Sequence, residues 1–272
     1  KVYNRFVRVS DGPISPFTGV GSKPDLAMVA APGALSGFII YELLKMKDYY
    51  GGNSVVLTSA SSKLSLATAV CLQEARANGS VKKVVGYTSA SNAEFVQSTD
   101  LFDNVLTYDQ NLPSNKELQF VMIDVAGDAT IFQRNKKQLK KALAVGGTHS
   151  NAKASTFAAF AAFGPSGLVK MVSGIVAPKS VANWMDSKLN PKLEMFFTPS
   201  VMATLVDKFG KNEFEKMGDT ALNKFVVAAI DRGWITVVRA EEPEAIQASY
   251  ERIFRGKLPP SEAVILSLAN AV

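Results

Sequence analysis

Ser54-Val-Val-Leu-Thr-Ser-Ala-Ser-Ser-Lys63, running directly into Leu64-Ser-Leu-Ala-Thr-Ala-Val-Cys-Leu-Gln-Glu-Ala75, is the stretch that decides the fold. A short run of β-branched apolar residues breaks into small hydroxyl residues and then into a helical pattern. This is the sequence form of a strand, a tight turn and a helix N-terminus, where backbone N–H groups and the helix dipole favour an anionic phosphate. About 25 residues on, Lys83-Val-Val-Gly-Tyr87 reads as a second strand, ending in Thr88-Ser89-Ala90-Ser91-Asn92 rather than in an acid. The pair reads as a βαβ unit of the dinucleotide-binding kind whose ribose position lacks a carboxylate.

The alternation extends in both directions. Residues 34–47 read as a helix, separated from the first strand by Gly51-Gly52. The helix after Lys63 runs to about Asn78, with Leu64, Ala67, Cys71 and Ala75 at helical spacing and Gly79 as a left-handed stop. A short helix is expected at 93–98, a third strand at 104–108 and an almost wholly apolar fourth at 120–125, as a strand covered on both faces should be. A helix over 128–139 and a fifth strand over 142–145, ending at Gly146-Gly147, complete this half. The pattern loosens over 151–198. Helices return at 199–209, at 212–231 with Phe214, Met217, Ala221, Phe225 and Ala228 on one face, and at 243–254. Trp234-Ile-Thr-Val-Val238 reads as a sixth strand, and 263–268 is a last apolar run. Strands alternating with helices predict an α/β fold with a parallel sheet and right-handed crossovers.

Bulk composition limits the choice of function. The 272 residues are 47% hydrophobic and 20% charged, with a net charge of +6. The densest basic group, Arg134, Lys136, Lys137, Lys140 and Lys141, lacks the interleaved aromatics of a nucleic-acid surface and reads as a solvated helix end. One cysteine excludes an intramolecular disulfide, and one histidine beside it removes the usual ligands of a zinc site, so no metal is expected. Cys71 falls within a helical pattern as a small core residue. The longest uncharged run, residues 26–41, is about 16 long, shorter than the roughly 20 apolar residues of a bilayer span, and reads as a buried helix with a broken start. No secretory signal is visible. Lys1 in place of Met suggests a processed or incomplete chain, and the compartment stays open between cytoplasm and an organelle interior.

The chain resembles the medium-chain dehydrogenase/reductase superfamily, specifically a branch with Ser59-Ala-Ser-Ser-Lys63 in place of the glycine-rich loop. The matching segments run in order: Tyr3-Asn4-Arg5, Ser59 to Lys63, Gly86-Tyr-Thr-Ser89 with Asn92, and Tyr108-Asp109. They continue with Pro191-Lys192, Phe196-Phe197 and Pro199, then Gly233-Trp234 with Val237-Val238, and Gly256-Lys257 with Leu266-Ser-Leu268. The resemblance implies a nicotinamide-binding domain over 25–255, a doubly wound parallel sheet of Rossmann order 3-2-1-4-5-6, with an apolar insertion at about 151–189. Residues 1–24 would then be a remnant of the chaperonin-10-like catalytic domain, most of which is absent, and 256–272 a return segment to it. The apolar 157–185 stretch suggests a surface that a protein partner covers.

Each candidate site residue has two readings. Ser59, Ser61, Ser62 and Lys63 either grip a pyrophosphate or form a polar turn with an ordinary N-cap. Without glycines the backbone approaches a pyrophosphate less freely, so the hydroxyls and the Lys63 charge would supply part of the grip. Thr88, Ser89 and Asn92 either favour a 2′-phosphate, and hence NADPH, with Lys63 or Lys83 nearby, or cap the next helix. Tyr108 packs on an adenine or on the sheet. Asp124 and Gly127, and Gly146 and Gly147, end strands four and five, which in the superfamily lie against the nicotinamide and its ribose; Asp124 could equally be a turn residue. Ser36 resembles the hydroxyl residue that many members place near the nicotinamide. His149 is either a general acid beside it or a loop histidine. Two functions remain in view: a zinc-independent NADPH-dependent reductase of an enone or quinone-type acceptor, and a non-catalytic dehydrogenase-like subunit of a larger assembly. No nucleic acid and no transmembrane span enter either.

Overall fold

The computed structural model describes residues 24–145 and 193–267. Helix α1, Pro24–Met46, opens on a proline whose missing N–H costs nothing in a first turn and on Asp25, which suits the positive end of the helix dipole. It starts ten residues before the expected helix and continues through Pro32, which is exposed, so the start is not broken. By length and composition Asp25–Met46 could cross a membrane, with mean hydropathy 1.6. Here it is a core helix: Ala27, Ala30, Ala34, Phe38, Ile39, Ile40 and Leu44 are all buried.

A turn at Asp48–Gly51 leads into β1, Ser54–Leu57, and then α2, Lys63–Ala77. Strand β2, Lys83–Thr88, a short turn, α3, Ala93–Ser98, and β3, Asn104–Thr107, follow. Strand β4, Phe120–Asp124, precedes α4, Ala129–Asn135, and β5, Leu139–Ala144. Beyond the undescribed residues come β6, Leu193–Met195, α5, Thr198–Phe209, and α6, Lys211–Asp231. The described chain closes with β7, Thr236–Ala240, α7, Pro243–Phe254, and β8, Glu262–Leu266.

Six strands form one parallel sheet in the order β3-β2-β1-β4-β5-β6. Alternation along each strand distributes side chains to two covered faces. Val55, Leu57, Val84, Val121 and Ile123 enter the larger core, shared with α1, α2 and α6. Val56, Val85, Tyr87, Phe120 and Met122 enter a smaller one, closed by Ile131 and Phe132 of α4. This is the doubly wound fold expected from the sequence.

Two expectations are corrected. The sixth strand of the sheet is Leu193–Met195, and Thr236–Ala240 instead pairs in parallel with β8 in a separate two-stranded sheet. Trp234 and Ile235, part of the expected strand, insert into the main core ahead of it. The helix expected over 128–139 ends at Asn135. Its buried side chain accepts from Leu112 N–H and donates to the Ile131 carbonyl, and the chain turns there into β5. The basic group is accordingly split: Arg134 and Lys136 stand at the end of α4, as expected, while Lys140 and Lys141 lie on β5. Arg134 donates to the Tyr108 and Gln110 carbonyls, and Lys141, on β5, pairs with Glu194 of β6 at 2.9 Å.

Candidate functional site

The strand order reverses between β1 and β4, both of whose carboxyl ends lead into the same crevice region, where open α/β sheets bind ligands. After Leu57 the backbone turns sharply. Ser59 sits at φ +48, a left-handed conformation normally left to glycine. Ala60 N–H donates to the Tyr87 carbonyl at 2.8 Å, fastening the turn to β2. That approach requires Gly86: a Cβ there would lie 2.8 Å from the Ala60 Cβ and 2.9 Å from the Phe102 ring. Ser62 then caps α2, its Oγ accepting from Ser65 N–H at 3.2 Å, so the capping reading of Ser62 holds.

Ser61 joins this turn to the end of β2. Its Oγ accepts from the Asn92 amide at 3.2 Å and from the Thr88 hydroxyl at 3.5 Å. Asn92 stands at the N-cap position of α3 but makes no side-chain cap bond, so its amide serves the crevice wall instead. Ser89 bonds Ser91 at 3.0 Å, and Tyr108 lies 3.4 Å from the Ser59 hydroxyl, its phenol pushed up by burial. Together Ser59, Ser61, Ser62, Lys63, Ser89, Asn92 and Tyr108 line a cavity of about 390 Å³. Seven of the sequence candidates therefore meet in one place. Thr88 is buried just beneath.

Lys63 is half-buried in this wall. Its ammonium donates to the Glu262 carbonyl at 3.4 Å, and burial pushes its pKa down with no carboxylate among the described residues to counter it. Lys83 is not nearby. It sits at the opposite end of β2 and faces Asp103 at 3.7 Å.

Asp124 does not line the cavity. Its carboxylate turns inward, accepting from the Thr58 hydroxyl at 2.7 Å and from Gly127 N–H at 3.1 Å. The Thr58 oxygen in turn accepts from Val125 and Ala126 N–H at 2.8 and 2.9 Å, so one pair of side chains ties the end of β1 to the end of β4. Burial raises Asp124 to about 6 despite these donors. Ser36 lies half-buried on α1, away from the cavity lining. Gly146, Gly147, His149 and the 157–185 stretch lie outside the described residues.

Sequence reasoning missed the far wall, formed by Leu258, Pro259, Pro260 and Glu262. It also missed Arg134, whose bonds to the Tyr108 and Gln110 carbonyls fix the loop carrying Tyr108. Neither had a local signal, because both act across long sequence separations. A second cavity of about 540 Å³ lies between α1, α2 and α6, away from the strand ends, and includes Cys71, whose thiol burial pushes up to about 12. No cluster of metal-ligating side chains occurs among the described residues.

A family model described as protein of unknown function (DUF2855) matches residues 1–259, and the chain belongs to that family. No curated protein matches the sequence. Among solved structures the fold is similar to the YhdH oxidoreductase of Salmonella enterica in complex with NADP, at 13% identity and a TM-score of 0.50, over 94% of this chain and 66% of that one. It is also similar to a Mesorhizobium loti protein assigned as an NADPH:quinone reductase, at 14% identity and a TM-score of 0.50, over 90% of this chain and 60% of that one. The chain thus spans less than two thirds of the length of either. At these identities the likeness is one of fold.

Proposed function

We propose that this chain binds NADPH in the crevice beyond β1 and β2 as a medium-chain reductase-like protein, and that it reduces an enone or quinone-type acceptor without zinc. The observation that carries the nucleotide reading is Lys63. A cation half-buried among serine hydroxyls, at the first residue of a helix, with a backbone carbonyl for a partner, is an anion subsite in need of an anion. Its neighbours suit a nucleotide. Ser59 and Ser61 offer hydroxyls to the diphosphate while Ser62 caps the helix turn that faces it, Ser89 and Asn92 stand where a ribose 2′-phosphate would meet donors rather than an acid, and Tyr108 offers a flat face to adenine. The Asp124–Gly127 turn would border the nicotinamide half. The NADP held by the Salmonella protein of like fold supports the same assignment.

NADPH, when bound, supplies a hydride. The protein's part is to bind and orient: the dipole and hydroxyls of the first turn of α2 hold the phosphates, while Thr58 and Asp124 keep the β4 turn fixed. A thermal-shift titration tests this. At a ligand concentration a hundredfold above Kd the native state gains about 2.7 kcal/mol, several degrees in Tm for a chain of this size. NADPH should raise Tm more than NADH, and Lys63→Met should abolish the rise. Absence of any shift with NADPH overturns the reading. Binding without loss of nicotinamide absorbance across a panel of quinones and enones would retain the site and favour the non-catalytic subunit instead.

A further inference from the structure

The crevice has a roof drawn from the far end of the chain. Residues 258–262 carry α7 into β8, and Leu258, Pro259, Pro260 and Glu262 face the serine turn across the cavity. The segment is held at both ends, and just ahead of it Lys257 N–H donates to the Arg252 carbonyl at 2.9 Å. Glu262 N–H donates to the Pro259 carbonyl at 3.0 Å, and Thr236 N–H on β7 donates to the Ser261 carbonyl at 2.7 Å. The Glu262 carboxylate takes a two-pronged bond from Arg252 of α7, at 2.9 and 2.8 Å. Its carbonyl takes the Lys63 ammonium at 3.4 Å. Two consecutive prolines fix φ, so little further freedom is lost when the segment is held in place. An ammonium has three N–H donors and can serve this carbonyl and an anion together.

We propose that residues 258–262 are a strap that closes the nucleotide crevice, with Lys63 as a clasp shared between strap and phosphate. Arg252, which is not among the residues lining the cavity, is a positioning residue that acts through Glu262. The proposal rests on the nucleotide reading above. A strap of this kind acts on release more than on encounter, because the ligand leaves only when the roof lifts.

The test is stopped-flow displacement of NADPH from the full chain, with hydrogen exchange of residues 258–266 measured in parallel. Exchange in the unaltered chain should slow when NADPH is added. Arg252→Met should release NADPH roughly three- to tenfold faster with association changed less than about twofold, and the Pro259→Gly/Pro260→Gly variant should behave alike. Measurable binding with release unchanged in both variants overturns the strap and leaves the nucleotide site standing. If NADPH does not bind the unaltered chain, the nucleotide reading fails first, and the clasp is judged without ligand. Lys63→Met should then speed exchange over 258–266 in the free chain, and unchanged exchange rejects it.

Discussion

Burial raises the Asp124 carboxyl to about 6 even though the Thr58 hydroxyl and Gly127 N–H both donate to it. The folded value lies above the ordinary 3.8, so the ionised form is disfavoured in the fold. The stability this group contributes is therefore full below about pH 4 and lost as pH rises through about 6. Asp124→Asn keeps an oxygen for both donors and removes the charge. It should be worth about 2–3 kcal/mol more stability at pH 8 than at pH 4, from a rise of about two pKa units at about 1.4 kcal/mol each. Denaturant unfolding at the two pH values measures the difference, and an equal effect at both would refute it. Ser59 poses a backbone question at the same scale. At φ +48 a side chain costs about 1 kcal/mol, so Ser59→Gly should be neutral to slightly stabilising, and Ser59→Val should lose about 2 kcal/mol or more. The sequence marked this residue as polar and turn-forming. Its left-handed geometry was hidden, because serine gives no signal for a conformation that glycine would announce.

At the scale of elements, α1 approaches the start of α2 through two glycines one turn apart. A Cβ at Gly33 would meet the Lys63 and Leu64 backbone at 3.2 Å, and one at Gly37 would meet Thr68 N at 2.8 Å. These contacts are with backbone, which cannot give way, and they set where Lys63 stands. Gly37→Ala should accordingly cost about 1–3 kcal/mol by overpacking. Gly218 in α6 is the contrast. Its added Cβ would meet Leu35 and Phe38 at ordinary contact, 3.6 and 3.9 Å, and the residue is mid-helix. Gly218→Ala should gain about 0.5–1 kcal/mol in helix propensity. Unfolding midpoints of the two variants, moving in opposite directions, check the packing directly. The same elements show what was legible. Helices α2, α6 and α7 carry helical periods long enough to read, and β1, β2 and β4 are each built on a short apolar run, Val55 to Leu57, Val84-Val85 and Phe120 to Ile123. Strand β6 has only three residues and no such run, so the stronger β-forming run at Trp234 stood in its place.

Across the whole molecule, the β7–β8 pair is attached to the main sheet's domain by few elements. A lone two-stranded sheet is marginal in water, so its order depends on those attachments. Trp234, Ile235 and Ala263 reach the main core. Arg239 grips Asp25 at the start of α1 through two bonds of 2.8 and 2.6 Å, and Lys63 reaches Glu262. The crevice is walled on one side by this unit and on the other by the main sheet, which is why its serine half could be read from one continuous motif while its proline half could not. Regions with few buried apolar ties open below the global free energy. Native-state hydrogen exchange should therefore show β7 and β8 opening at lower free energy than β1 and β4. Arg239→Met should lower the opening free energy of β7 and β8 while leaving that of β1 unchanged, because an exposed pair contributes little to global stability but here joins the two units. A matching fall in β1 protection would instead make the molecule a single cooperative unit, in which any motion over the crevice would require global unfolding.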